Sequence, residues 1–148
     1  MPSTHTSLHF HLIFATKHRS PQIANQWKDR LHAYLGGLVR KLGGVPDEIN
    51  GMAEHVHLLV GLRPTHCLAD VLQDVKGASS KWVHDEIGFS KFAWQTGYGG
   101  FTVSPSQLEA VREYIRNQET HHQRKTFQEE YVEFLKNSGV EYDERYLW

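Results

Sequence analysis

The chain has a single cysteine, Cys67, so no internal disulfide can form. It has no apolar run long enough to span a bilayer, which argues against a membrane protein. No N-terminal stretch combines the basic, apolar and small-residue segments of a signal peptide. Internal repeats, low-complexity tracts and obvious linkers are also missing, so the 148 residues (1–148) read as one domain. Together these absences lead to the expectation of a soluble, cytoplasmic protein.

Net charge is scarce too. The formal value is −1, which by itself argues against a nucleic-acid binder. Its distribution is uneven, however. Residues 127–148 carry −4 and residues 1–126 carry +3. The acidic end reads as a solvated tail or a dimer contact, and the body retains room for a basic surface. What the chain does have is histidine, 11 in all, and enough hydrophobic residues, 39%, to fill a core.

The periodicity alternates between two and 3.6. Thr6–Thr16 reads as a strand, broken by Lys17-His18-Arg19-Ser20-Pro21. Trp27, Leu31, Tyr34, Leu35, Leu38, Val39 and Leu42 recur at helical spacing up to Gly43-Gly44. Val45–Met52 and His55–Leu62 predict two strands joined by a hairpin at Gly51–Glu54. Leu68, Val71, Leu72, Val75 and Trp82 mark a second helix. Phe92–Ser104 reads as a strand bent around Gly97, Gly99 and Gly100. A third helix is expected from Ser106 to His122, with Leu108, Val111 and Ile115 as its buried stripe. Thr126–Asn137 predicts a last short helix closed by Ser138-Gly139. The order β-α-β-β-α-β-α-α predicts an α+β fold of the split βαβ (ferredoxin-like, RRM-like) kind. That fold is a four-stranded antiparallel sheet with helices on one face, plus C-terminal helices. The sheet's other face would be left for a ligand, a nucleic acid or a second sheet.

His55-Val56-His57 is the feature with most chemistry in it. Two imidazoles one residue apart on a strand point the same way and offer two nitrogen ligands to a metal. Two strand histidines without a metal fit the pattern equally well, and His9-Phe10-His11 repeats it on the first strand. On the third helix, Tyr114 and Gln118 are four residues apart and share a face beside the apolar stripe. They offer a phenol and an oxygen ligand. A tyrosine at the core edge and a solvated glutamine fit as well.

In order, the chain reads Thr16-Lys17-His18-Arg19, then Glu54-His55-Val56-His57-Leu58-Leu59-Val60. Trp94-Gln95-Thr96-Gly97-Tyr98, Phe101-Thr102-Val103-Ser104 and Tyr114-Ile115-Arg116-Asn117-Gln118 follow. This ordered set resembles the single-tyrosine HUH transposases of bacterial insertion sequences, of the insertion sequence 200/605 type. The resemblance spans nearly the whole chain. It implies a single-stranded DNA transposase that cuts and rejoins strands through a 5′-phosphotyrosine intermediate. Tyr114 would be the nucleophile, and His55, His57 and Gln118 would hold one divalent ion, Mg²⁺ or Mn²⁺. The partners implied are single-stranded DNA with hairpins at the element ends and a second copy of the chain in a homodimer. The family often builds each site from the His pair of one subunit and the tyrosine helix of the other.

Lys17, Arg19, Lys76 and Lys81 are the phosphate-contact candidates, Glu54, His121 and His122 lie near the proposed ligands, and Trp82 and Trp94 read as core. Besides a metal-dependent hydrolase that uses only the His pair and forms no covalent adduct, two alternatives stand beside this reading. One is a domesticated relative that processes repeated palindromic DNA, although Asn117-Gln118-Glu119 lacks the Asn-Pro pair expected after the tyrosine in that branch. The other is a non-catalytic nucleic-acid-binding module, which would favour exposed aromatics where His55 and His57 stand.

Overall fold

The computed structural model describes residues 3–147. Its centre is a four-stranded antiparallel sheet in the order β2-β3-β1-β4. The strands are β1 (His9–Ala15), β2 (Val45–Met52), β3 (His55–Gly61) and β4 (Gly99–Thr102). With α1 (Asn25–Lys41) between β1 and β2, and α2 (Leu68–Trp82) between β3 and β4, this is the expected split βαβ order.

Alternation along the central strands sorts the two faces. Leu12 and Phe14 of β1, with Val56, Leu58 and Val60 of β3, point to the α1/α2 layer. There they meet Leu31, Leu35, Val39, Val71, Leu72 and Val75. Trp94 joins this core and donates from Nε1 to Ser79 Oγ at 2.9 Å.

The opposite face is covered as well. It carries His11, Ile13 and Ala15 of β1 and His55, His57 and Leu59 of β3. Three C-terminal helices close over it: α3 (Leu108–Arg116), α4 (Gln118–His122) and α5 (Phe127–Asn137). Phe127, Tyr131 and Leu135 of α5 pack on Ile13 and Ala15, and Ile115 of α3 packs on Leu59. The face that the strand pattern leaves for a ligand is therefore roofed by the chain's own C-terminal segment.

Three elements differ from the sequence expectation. The first strand begins at His9, not Thr6. The last ladder is only Gly99–Thr102, and Trp94 makes a single bridge to Thr16. The third helix breaks at Asn117 (φ −97°, ψ 26°). Asn50 causes that break to be affordable: its Nδ2 donates to the carbonyls of Ile115 (3.0 Å) and Arg116 (3.1 Å), which have lost their helical donors. Arg112 fixes the same helix to β2 by a forked contact with Asp47, at 2.8 Å from both Nε and NH2. Asp47 sits where the β2–β3 register shifts, between Pro46 and Glu48, so a bulge on the edge strand aims it at α3. Local chemistry also starts α5: Thr126 Oγ1 accepts from the Glu129 N–H at 3.2 Å as its N-cap, and donates to Glu129 Oε1 at 3.1 Å.

Candidate active site

His55 and His57 lie side by side on β3 under α3–α5, both fully buried. A buried polar ring needs partners, and each of the four ring nitrogens has one. His55 Nδ1 lies 2.8 Å from Glu54 Oε1, and His57 Nδ1 lies 2.7 Å from His11 Nε2. The two Nε2 atoms point the other way, towards the C-terminal helices. His55 Nε2 is 3.1 Å from Gln118 Oε1 and 3.7 Å from Glu130 Oε1. His57 Nε2 is 2.9 Å from Glu130 Oε1. His122 Nε2 closes the group, 3.2 Å from Gln118 Oε1 and 3.3 Å from Glu130 Oε2.

Ligand atoms from His55, His57, His122 and Glu130 all lie within 4.8 Å of one another. Two ligands about 2.1 Å from one ion and at right angles to each other stand about 3.0 Å apart. The spacings of 2.9 to 3.7 Å around Glu130 Oε1 therefore suit a single divalent ion. The far nitrogen of each strand histidine is also held, which fixes ring orientation as metal-binding imidazoles require.

Electrostatics agree with that use. Burial pushes His57 down to about 4, against the opposing pull of Glu130, so its ring is neutral near pH 7. Burial, with the neighbouring His57, holds His11 well below its ordinary value. Burial opposes the charge of Glu130, but hydrogen bonds from His122, His57 and Tyr114 hold its carboxyl far below the usual range. For His122 burial works downward, and Glu130 and Glu54 outweigh it, so its value is raised.

Tyr114 reaches the same carboxylate. Its hydroxyl donates to Glu130 Oε2. Burial, reinforced by Glu130, raises the phenol above its ordinary value. The ring is held on one face by His121, stacked at 4.5 Å and 27°, and at its side by the edge of Phe134 at 5.5 Å. Gln118 is fully buried one turn on, with its Nε2 3.4 Å from Tyr114 O.

The four site residues singled out in the sequence thus converge, and they do so within one chain. Glu54, His121 and His122 join them. Glu130 and the partner role of His11 escaped sequence reasoning. Glu130 counted there only as part of an acidic tail. Yet it sits on the helical stripe of Phe127, Tyr131 and Leu135, and a glutamate on such a stripe is seldom buried without partners.

The four cationic candidates separate. Lys17 and Arg19 stand in a short turn after β1, in which His18 and Arg19 have φ of 58° and 54°. The Thr16 N–H donates to Glu54 O at 2.9 Å, so this turn flanks the histidine end of the sheet. Lys76 and Lys81 are on α2, across the sheet from the histidines. Lys76 donates to the carbonyls of Gln95 (2.6 Å) and Gly97 (2.8 Å), and Lys81 pairs with Asp85 (2.5 Å). Trp82 stacks on Tyr34 at 5.0 Å.

Comparisons with known proteins bear on the same segments. The sequence pattern of the family described as Transposase IS200 like matches residues 4–118. The ISDra2 transposase TnpA of Deinococcus radiodurans is 26% identical over 117 residues, covering 75% of this chain and 84% of that protein. The transposase for insertion sequence element IS200 of Salmonella typhimurium is 27% identical over 119 residues, 74% of this chain and 75% of that one. A crystal structure of a candidate transposase from Deinococcus radiodurans R1 superposes with a TM-score of 0.66 at 28% identity, covering 80% of this chain and 95% of that one. A REP-associated tyrosine transposase bound to a REP hairpin shares the fold, with a TM-score of 0.60 at 12% identity over 82% of this chain and 74% of that one. With most of its length matched, and with histidines, tyrosine and carboxylate gathered on one sheet face, the chain belongs to the IS200-like transposase family.

Proposed function

We propose that this transposase cuts and rejoins single-stranded DNA with Tyr114 as its nucleophile. One observation carries the reading: the Tyr114 hydroxyl and the Nε2 atoms of His55 and His57 are gathered around a single buried carboxylate, Glu130. In the cleavage step the phenol oxygen bonds to phosphorus and the bond from phosphorus to the 3′ oxygen breaks. The products are a 5′-phosphotyrosine and a strand ending in a 3′-hydroxyl. Glu130, held ionised by its donors, accepts the phenol's hydrogen bond and aims its oxygen; the phenol proton leaves to solvent, and the departing 3′ oxygen takes a proton from solvent. Rejoining reverses these steps with a 3′-hydroxyl as attacker, so no external energy source is needed.

His55, His57 and Glu130 would hold a divalent ion, with Gln118 and His122 as further donors. When bound, that ion would neutralise charge developing on the phosphate oxygens. Nitrogen and oxygen donors in this mixture suit Mn²⁺ or Mg²⁺. Glu54 and His11 orient the two strand histidines.

Hairpin-bearing single strands are the proposed substrate, and Lys17 and Arg19, beside the histidine end of the sheet, are the better-placed phosphate contacts of the original four. No helix among the described residues is long and apolar enough to cross a membrane. The proposed setting is the cytoplasm, where the DNA is. Residues 1–148 act as one catalytic unit in this reading. Joining two ends requires two nucleophiles, so the working assembly is proposed to be a homodimer whose sites each close within one chain.

The test is a hairpin-bearing single-stranded oligonucleotide incubated with the protein and Mn²⁺. A covalent protein–DNA band is expected, and Tyr114→Phe abolishes it. Persistence of the band in that variant would remove Tyr114 from the role.

A further inference from the structure

The metal-binding group is nearly closed to solvent: His55, His57 and Gln118 are fully buried and Glu130 is 3% exposed. A phosphodiester must nevertheless reach the Tyr114 hydroxyl. A cavity of about 370 Å³ leads there from the surface. Tyr114 and Glu130 form part of its wall, together with His121, Arg124, Lys125 and Glu133. The family match stops at residue 118, so this wall beyond Tyr114 is built by the segment that follows it.

The two cations on the wall differ. The Lys125 ammonium is paired with Glu133. Arg124 is exposed, and its side chain forms no hydrogen bond or ion pair among the described residues. Its backbone N–H donates to His121 O at 3.0 Å, which fixes the turn carrying it. His121 in turn stacks on Tyr114, so the turn that carries Arg124 is tied to the residue packed on the phenol. A planar guanidinium with its donors free is suited to a phosphate, which it can grip through two oxygens.

We propose that Arg124 is a substrate-positioning residue, which binds a phosphate of the single-stranded DNA in this cavity and so brings the scissile bond to Tyr114. The proposal rests on the reading of Tyr114 as the nucleophile. It adds a contact that lies outside the matched family segment.

The experiment measures binding of fluorescein-labelled oligothymidylate to the full chain in Mn²⁺ over a range of salt concentrations. Arg124→Ala, Arg124→Lys, Tyr114→Phe and the distant surface control Lys41→Ala are compared with the unaltered protein. Arg124→Ala is expected to weaken binding on the order of tenfold and to lower the slope of log K against log salt by about 0.7, the value for one lost phosphate contact on a single strand. Arg124→Lys recovers the slope but only part of the affinity, because the ammonium lacks the fork. In adduct formation with a hairpin oligonucleotide, Arg124→Ala raises the DNA concentration for half-maximal rate and leaves the saturated rate close to normal. Unchanged affinity and salt slope in Arg124→Ala would overturn the proposal. So would a lost saturated rate with unchanged binding. Tyr114→Phe separates the two readings: it should bind DNA normally and form no adduct, and adduct formation by it defeats the nucleophile assignment whatever Arg124 does.

Discussion

His11 Nε2 lies 2.7 Å from His57 Nδ1, so one buried histidine aims another. The β1–β3 register explains the meeting. His57 stands opposite Ile13, and His11 is the next residue along β1 on the same face. For His57 Nε2 to bind a metal, its Nδ1 must carry the proton and His11 must accept it. The depressed value of His11 keeps it neutral and able to do so. His11→Ala is therefore expected to weaken Mn²⁺ binding roughly 10- to 100-fold without removing a ligand. Calorimetric titration of the metal-free protein measures this directly. An unchanged affinity would take His11 out of the site.

Glu130 divides its two oxygens between the histidine pair and Tyr114. Glu130→Gln keeps the shape and removes the charge that receives the phenol's hydrogen bond. Mn²⁺ affinity should fall on the order of tenfold or more. Adduct formation at saturating Mn²⁺ should fall on the order of tenfold or more, the range for a lost charge-assisted hydrogen bond. Gln118→Ala provides the comparison. If it costs more metal affinity than Glu130→Gln, the ion sits on the Gln118 side and Glu130 serves the phenol alone.

Strand and helix order was readable because both periodicities are clean. The His55/His57 pair was readable because alternation along a strand needs no knowledge of its neighbours. Helical spacing put Tyr114 and Gln118 on one face, but their roles came only from the family resemblance. The break at Asn117 was not, because it depends on Asn50 reaching across from β2 to take two carbonyls. The shortness of β4 likewise follows from pairing limited to Phe10–Ile13 of β1. His11 looked like a repeat of a common pattern, and its meaning depends on cross-strand register. Glu130 was hidden by its company of acidic residues in the C-terminal segment, although its place between Phe127 and Leu135 marked it for burial.

The metal-free protein should lose stability as the pH falls from about 6.5 to 4. His57 and His32 are both pushed down to about 4, chiefly by burial. Unfolded histidines titrate near 6.5, so in this window the unfolded chain binds more protons than the folded one and acid favours unfolding. Above pH 6.5 both states are neutral at these positions and the effect vanishes. Each such group contributes up to about 1.4 kcal/mol per pH unit near pH 5. His32 is separable from the active site. Its Nε2 is buried without a hydrogen-bond partner among the described residues. Burial also holds His11 well below its ordinary value, so it adds to the same slope, and His32→Leu should remove about a third of it in urea unfolding measured across that range. An unchanged slope would show that His32 titrates normally.

Gly51 tests how tightly the hairpin sets the histidines. It lies within β2, opposite Val56, with only Ala53 and Glu54 connecting β2 to β3. A Cβ on Gly51 would stand 2.2 Å from His55 O and 2.9 Å from Val56 Cα. Both are backbone atoms of β3, so no side chain can yield and the strand itself must move. Gly51→Ala should cost about 2–3 kcal/mol, as overpacking in a core does. That corresponds to a fall in Tm of about 5–10 °C for a chain of this size. Mn²⁺ affinity should fall with it, because His55 is the residue displaced. Gly77→Ala is the matched control. Gly77 lies inside α2, where an added Cβ meets nothing within 4 Å. There alanine should stabilise by roughly 0.5–1 kcal/mol through helix propensity and leave metal binding unchanged. If both variants melted alike, the close approach at Gly51 would not be what holds β3 in register.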